Sequence, residues 1–216
     1  MKTQIIGIPT LITAMEPTST TAVAYHGLCT NLRFTMLETS LKTIAVVSAE
    51  DGEGKSTIIA NLGIAFAQSG QRVLLVDGNL RRPFLHTIFG LKNQLGWGNL
   101  LNGQVTGLQE VIWPTAIRNL FVLPSGVKSP NPAQLLSTKS LTLFMEDVKD
   151  DFDVILFDSP ALALGAEAQF LASKTDGTLV VVKEKLTKKE LLREAHNQLL
   201  QAHAHILGFV YNGIAK

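Results

Sequence analysis

The run Gly52-Glu53-Gly54-Lys55-Ser56-Thr57 places two glycines, a cation and two hydroxyls side by side. That set suits the holding of phosphate. Glycine lets the backbone curl so that successive N–H groups converge on phosphate oxygens. Lys55 supplies a positive charge for the outer phosphates of a nucleotide, and the Ser56 hydroxyl is a ligand for Mg²⁺. A glycine usual at the head of such a loop is Ala49 here. Two further segments end an apolar run in a carboxylate: Val73-Leu74-Leu75-Val76-Asp77 and Val154-Ile155-Leu156-Phe157-Asp158. A lone aspartate after a strand is commonly a cap or turn residue. Two of them beside a phosphate loop form the acidic half of a Mg-nucleotide site.

These residues need rigid elements to position them. Thr43 to Val47 reads as a buried strand before the loop, and Ile58 to Gln68 as the helix after it. Further strands are expected at Arg72 to Val76, Leu120 to Leu123, Val154 to Phe157, Thr178 to Val182 and Ile206 to Tyr211. Helical patterns fall at Leu141 to Val148, Ala166 to Ala172 and Lys188 to Ala202. Strands that are apolar throughout fit a parallel sheet covered on both faces. The reading is an α/β fold, a doubly wound and mostly parallel sheet flanked by helices. Ligands in such folds bind beyond the strand C-termini, where the phosphate loop lies. Pro124 to Pro132 reads as a loop, with Pro132 opening a helix. Residues 1–216 are read as a single ATP-binding domain in which residues 1–20 form a loosely structured arm.

Composition narrows the function classes. The 216 residues are 46% apolar, enough for one sizeable core. A formal net charge of +1 gives no electrostatic case for nucleic acid. A lone cysteine, Cys29, excludes an internal disulfide and fits a reducing compartment. No apolar run reaches the ~20 residues that span a bilayer. The expected location is cytoplasmic, with any membrane association through a partner.

Asp77-Gly78-Asn79-Leu80-Arg81-Arg82-Pro83 resembles the second Walker motif of the bacterial tyrosine kinases that serve capsular and exopolysaccharide export. The loop Ser48 to Thr57 is similar to theirs, with Asp51 where they usually carry proline. Leu11-Ile12 through Phe34, Asn119 to Gly126, Pro130 to Leu136 and Leu207 to Gly213 resemble family segments as well. The resemblance implies a P-loop fold of the MinD/ParA-like branch, a protein-tyrosine kinase activity, ATP and Mg²⁺ as cofactors, and a transmembrane activator as partner. It implies that Gly52, Glu53, Gly54, Lys55, Ser56 and Thr57 bind phosphates, with Ser56, Asp77 and Asp158 around the metal. Lys55, Asp77 and Asp158 would be catalytic, Asp77 taking the proton from the attacking hydroxyl. Asn212 would sit near the adenine, although Asn-Gly after a strand is also a plain turn.

Three departures stand out. The family's aspartate at position 79 is Asn79, which carries no charge and cannot act as a base. A Glu and two Arg on the first helix, which join family members into a ring, are replaced by Val23, His26 and Cys29. Residues three apart share a helix face, so that charged face is lost as a unit, and His26 with Cys29 is too sparse for a metal site. The family's tyrosine cluster is absent: only Tyr25 and Tyr211 are present, Tyr211 being expected to pack at a strand end. Either a tyrosine tail is missing from this sequence or self-phosphorylation does not follow the family's manner. His86, His196, His203 and His205 show no ligand spacing and are expected in solvent. Three readings remain: a tyrosine kinase, a non-kinase ATP-binding switch, and a partition or division ATPase. That last branch places a lysine early in the loop, where this chain has Glu50.

Overall fold

The computed structural model describes residues 11–127, 131–136 and 139–213. The chain opens with α1 (Ile12–Met15), α2 (Thr20–Thr39), β1 (Thr43–Ser48) and α3 (Lys55–Gln68). Next come β2 (Val73–Asp77), α4 (Leu85–Ile88), α5 (Trp97–Leu101), β3 (Trp113–Pro114) and β4 (Leu120–Leu123). It continues through α6 (Pro132–Leu136), α7 (Lys139–Asp151), β5 (Val154–Asp158), α8 (Glu167–Lys174), β6 (Gly177–Lys183), α9 (Lys189–Gln201) and β7 (Ile206–Asn212).

The strands form one sheet in the order β3-β4-β2-β5-β1-β6-β7. All pairings are parallel except β3 with β4. Every residue of β1, β2 and β5 is buried, which is why these runs show no polar alternation. Helices cover both faces. One core joins Trp97, Phe144 and Phe157 with α7, α8 and α9, and the other packs α2 and α3 against the opposite face. Register sets Asp77 beside Asp158 at the C-terminal ends of β2 and β5.

The six expected strands and four expected helices all form, within a few residues at their ends. The antiparallel edge strand β3 was not expected. It is two residues long and contains a proline, which a sheet tolerates only at its edge.

The arm is a second difference. Residues 11–20 are ordered, with Leu11 and Thr13 buried. The Thr13 N–H donates to Asn61 Oδ1 at 2.9 Å, tying α1 to the middle of α3. Residues 1–10 lie outside the described residues, as do positions 128–130 of the expected loop.

The helix α2 corrects a further expectation. Val23 is 59% exposed, His26 is half-buried, and Cys29 is only 3% exposed, in the core against α3. At about 100° per residue, each three-residue step drifts backward, so positions 23 and 29 lie roughly 120° apart. They do not form one surface face. Tyr211 is also not packed: on the edge strand β7 it stands 66% exposed.

Candidate nucleotide and phosphotransfer site

The loop between β1 and α3 has the geometry its glycines permit. Gly52 and Gly54 adopt positive φ values of 77° and 96°, which side-chain-bearing residues rarely adopt. Gly54 is needed for space as well: a Cβ there would lie 2.3 Å from Asn212 Nδ2. Lys55, the first residue of α3, is buried and donates from Nζ to Ser48 Oγ at 2.7 Å. Ser48 in turn donates to the Glu50 carbonyl at 2.6 Å. Burial pushes the Lys55 ammonium below its ordinary pKa, against the attraction of Asp158, Asp51 and Glu53.

Ser56 Oγ donates to Asp158 Oδ2 at 2.5 Å. The other oxygen, Asp158 Oδ1, is buried with no hydrogen-bond partner among the described residues. Asp77 is buried beside it. Its Oδ2 accepts from the Phe84 and Leu85 N–H groups, both at 2.9 Å, and its Oδ1 from Asn79 N–H at 3.3 Å. Desolvation raises the pKa of both carboxyls, and the Asp158 charge adds to the rise at Asp77. Two adjacent buried carboxylates, one with an orphaned oxygen, fit a divalent cation. Among the described residues no cluster of three or more His, Cys, Asp or Glu could hold a metal alone. Mg²⁺ is commonly held by one or two carboxylates together with substrate phosphates, so the donor set here is one that nucleotide completes.

Lys55 and Ser56 open into a cavity of about 650 Å³. One wall is the loop, with Asp51, Gly52, Gly54, Lys55, Ser56 and Thr57. The facing wall carries Asn79, Arg82, Pro83, Phe84, His86 and Asn93. Arg82 and Asp51 meet across the mouth at 3.2 Å, both largely exposed. Asn79 Oδ1 accepts from Arg82 N–H at 3.1 Å, so the amide shapes the turn that presents Arg82.

Lys55, Ser56 and Thr57 thus line one space with Gly52 and Gly54, and the buried Asp158 and Asp77 stand behind its lining, Asp158 bonded to Ser56 and Asp77 to the Asn79 and Phe84 N–H groups. Glu53 does not line it. It is fully buried behind the loop, accepting from Glu50 N–H at 3.3 Å and from the Thr187 hydroxyl. Asn212 also braces the loop, donating from Nδ2 to the Glu53 carbonyl at 2.9 Å. Ser48 falls within the recognised loop motif, whereas nothing in the sequence singles out Thr187, which packs on Glu53, or Phe84, whose N–H bonds Asp77. His86 departs from its solvated expectation: it is half-buried in the cavity wall, and its Nδ1 is sealed from water. Arg81 pairs instead with the buried Glu167 at the start of α8, Nη2 to Oε1 at 2.6 Å.

A family model described as an AAA domain matches residues 41–204. The tyrosine-protein kinase YwqD of Bacillus subtilis is 35% identical over 203 residues, covering 94% of this chain and 85% of YwqD. The chain belongs to the bacterial tyrosine-kinase family. The tyrosine-protein kinase CpsD of Streptococcus pneumoniae serotype 4 is 33% identical over 189 residues, 87% of this chain and 82% of CpsD. The crystal structure of the chimerical protein CapA2B2 superposes with a TM-score of 0.91 at 30% identity, covering 97% of this chain and 92% of that one. The septum site-determining protein MinD of Pyrococcus horikoshii, complexed with Mg-ADP, gives 0.67 at 27% identity, covering 79% and 69%. The fold is therefore that of P-loop NTPases, and the family is that of the tyrosine kinases within them. Neither the switch nor the partition reading gains support from these relatives. No helix among the described residues is long and apolar enough to cross a membrane.

Proposed function

We propose that this chain is an ATP-dependent protein-tyrosine kinase of a capsular or exopolysaccharide system, with phosphotransfer weakened by Asn79. The observation that carries the reading is the contact of Ser56 with Asp158, with Asp77 alongside in sheet register and Lys55 one residue from Ser56. The loop N–H groups and Lys55 hold the ATP phosphates. Ser56, Asp77 and Asp158 are the donors available to Mg²⁺, which when bound neutralises phosphate charge. Asp77 receives the proton of the attacking tyrosine hydroxyl. Its raised pKa suits that role, because a base works best with a pKa near the working pH. Asn212, pressed against Gly54 at the end of β7, borders the adenine side. Phosphoryl transfer depends on positioning and charge more than on covalent chemistry, so the missing charge at position 79 slows transfer while nucleotide binding persists.

The partner in this reading is a transmembrane activator that recruits the domain to the inner face of the membrane. The acceptors in this reading are tyrosines on other proteins: Tyr25 is half-buried with its pKa pushed up to about 12 by burial, and Tyr211, though exposed, is a single residue and not a cluster. The family's ring contacts are replaced by an exposed Val23, a half-buried His26 and a core Cys29. The chain is therefore expected as a monomer or weak dimer, and a stable octamer-sized particle in light scattering with ATP would contradict this. The deciding experiment supplies labelled ATP, the activator's cytoplasmic tail and a tyrosine-rich peptide. Labelled phosphotyrosine is the expected product, and tight ATP binding with none formed would return the reading to a nucleotide switch.

A further inference from the structure

The cavity has two walls, and the phosphate loop accounts for only one. Opposite it, Phe84 presents a ring that is 43% exposed on the rim of a polar cleft. Ligand pockets combine apolar and aromatic lining with a few placed polar groups, and Phe84 supplies the aromatic part of this one. The backbone placing this ring is fixed by the centre itself: the Phe84 and Leu85 N–H groups both donate to Asp77 Oδ2 at 2.9 Å. The carboxylate proposed to accept the proton therefore also sets where the ring stands. Next to it Pro83 stiffens the approach, His86 closes the wall, and Arg82 holds a largely exposed cation at the mouth.

We infer that Phe84, with Pro83 and His86, forms the subsite for the ring of an incoming tyrosine. In-line transfer needs the acceptor oxygen on the side of the terminal phosphate away from the leaving ADP. With ADP on the loop wall, that side is the facing wall. A phenol laid against Phe84 brings its hydroxyl toward Asp77, whereas serine or threonine has no ring to place there. The O–H proton passes to the Asp77 carboxylate, the new P–O bond forms to the phenolic oxygen, and the bond from the transferred phosphorus to the ADP oxygen breaks. Aromatic pairs add an attraction beyond simple burial. Together with the lost contact area, removal of the ring should weaken acceptor binding about tenfold.

This inference rests on the kinase reading but is tested without turnover. A synthetic tyrosine peptide and its serine counterpart are titrated into the full chain loaded with Mg-ADP, and binding is followed by calorimetry. The tyrosine peptide should bind, and the serine peptide about tenfold more weakly. Phe84→Ala should remove that preference, and Phe84→Tyr, which keeps a ring, should restore it. Thermal unfolding of each variant checks that it is folded. Equal tyrosine-peptide affinity for Phe84→Ala and wild type would overturn the subsite, as would absence of any preference in the wild type. A Phe84-dependent peptide that binds and is never phosphorylated leaves the subsite standing and refutes the kinase reading instead.

Discussion

The two walls of the cleft are built differently. The phosphate loop is tied from behind by three elements: Thr187 and the Glu50 N–H on Glu53, Asn212 on the Glu53 carbonyl, and Lys183 Nζ on the Gly52 carbonyl at 3.1 Å. Behind it α3 is buried along most of its length. The facing segment from Gly78 to Phe84 is held on its cavity side by one carboxylate, Asp77, with Asn79 shaping its turn, while Leu80 in the core and Arg81 on Glu167 anchor its far side. The braced wall keeps the glycines, Lys55 and the hydroxyls of the motif and departs from it at Ala49 and Asp51, while the facing wall departs at Asn79 and meets Asp51 through Arg82. Phosphate holding is thus pre-organised, and the departure at Asn79 falls on the transfer side.

Removing the suspension should have the largest effect. Asp77→Asn deletes both the proposed base and the negative end of the bonds that hold Phe84 and Leu85. General-base catalysis contributes roughly 10²- to 10⁴-fold, so phosphotransfer to a peptide should fall by that range while MgATP still binds. The same variant has a stability signature. Desolvation and the neighbouring Asp158 raise the folded-state pKa of Asp77 above its unfolded value. The resulting stability is full below the ordinary carboxylate pKa near 4 and is lost as pH rises through the folded value. The nucleotide-free protein should therefore melt lower as pH climbs from about 4 toward neutrality. Asp77→Asn should flatten that slope. Parallel melting curves for the two proteins would mean that Asp77 is not held protonated by its surroundings.

Breaking the braced wall should come next. Lys55→Met keeps the bulk that fills the space near Ser48 and deletes the charge. Charge-assisted contacts to phosphate are among the stronger hydrogen bonds, so MgATP affinity should drop about ten- to a hundredfold. Calorimetry giving equal affinities would remove Lys55 from the phosphate site.

Legibility in the sequence followed the same division. The strand–loop–helix around Lys55 could be read because glycine, lysine and hydroxyl chemistry is local. Asp77 and Asp158 could be read because apolar strands end in a carboxylate, although their side-by-side register is a property of the sheet. The facing wall was legible as far as Pro83, through its resemblance to the second Walker motif, and not beyond it. Phe84 precedes and His86 lies on a four-residue helix that has no periodicity to detect, and the start of that helix is placed by the bonds of the Phe84 and Leu85 N–H groups to Asp77. Thr187 lies more than 130 residues from the loop it braces. The reading of α2 failed for a geometric reason. A spacing of three reads as one face over a single step, but the rotation accumulated over two steps carries Cys29 into the core.

Restoring charge to the suspended wall gives a smaller, positive effect. Asn79→Asp places a carboxylate at the cavity edge near Asp77. Groups around a metal's direct ligands typically matter roughly 10- to 100-fold, and a gain of about tenfold in peptide phosphorylation is expected. The new carboxylate can still accept from the Arg82 N–H, so the turn should persist. An unchanged rate would make Asn79 an adequate isostere and remove the argument for a weakened kinase.

The smallest effect is expected where the two walls touch. Asp51 accepts from the Gly52 N–H at 3.1 Å and pairs with Arg82 at 3.2 Å. It thereby occupies one of the loop's own donors and places a negative charge at a mouth that must admit phosphates. Arg82 is 74% and Asp51 50% exposed at the side chain, so the pair itself contributes little. Asp51→Asn removes the repulsion and frees Arg82, which should raise MgATP affinity about two- to fivefold at low salt. Screening shortens to about 3 Å at 1 M salt, so the gain should shrink there. Calorimetric titrations at both ionic strengths measure the difference. If Asp51→Asn instead binds MgATP more weakly at low salt, then Asp51 helps to organise the cleft by holding Arg82 in place. The facing wall would then be braced across the mouth, and the contrast between the two walls would not hold.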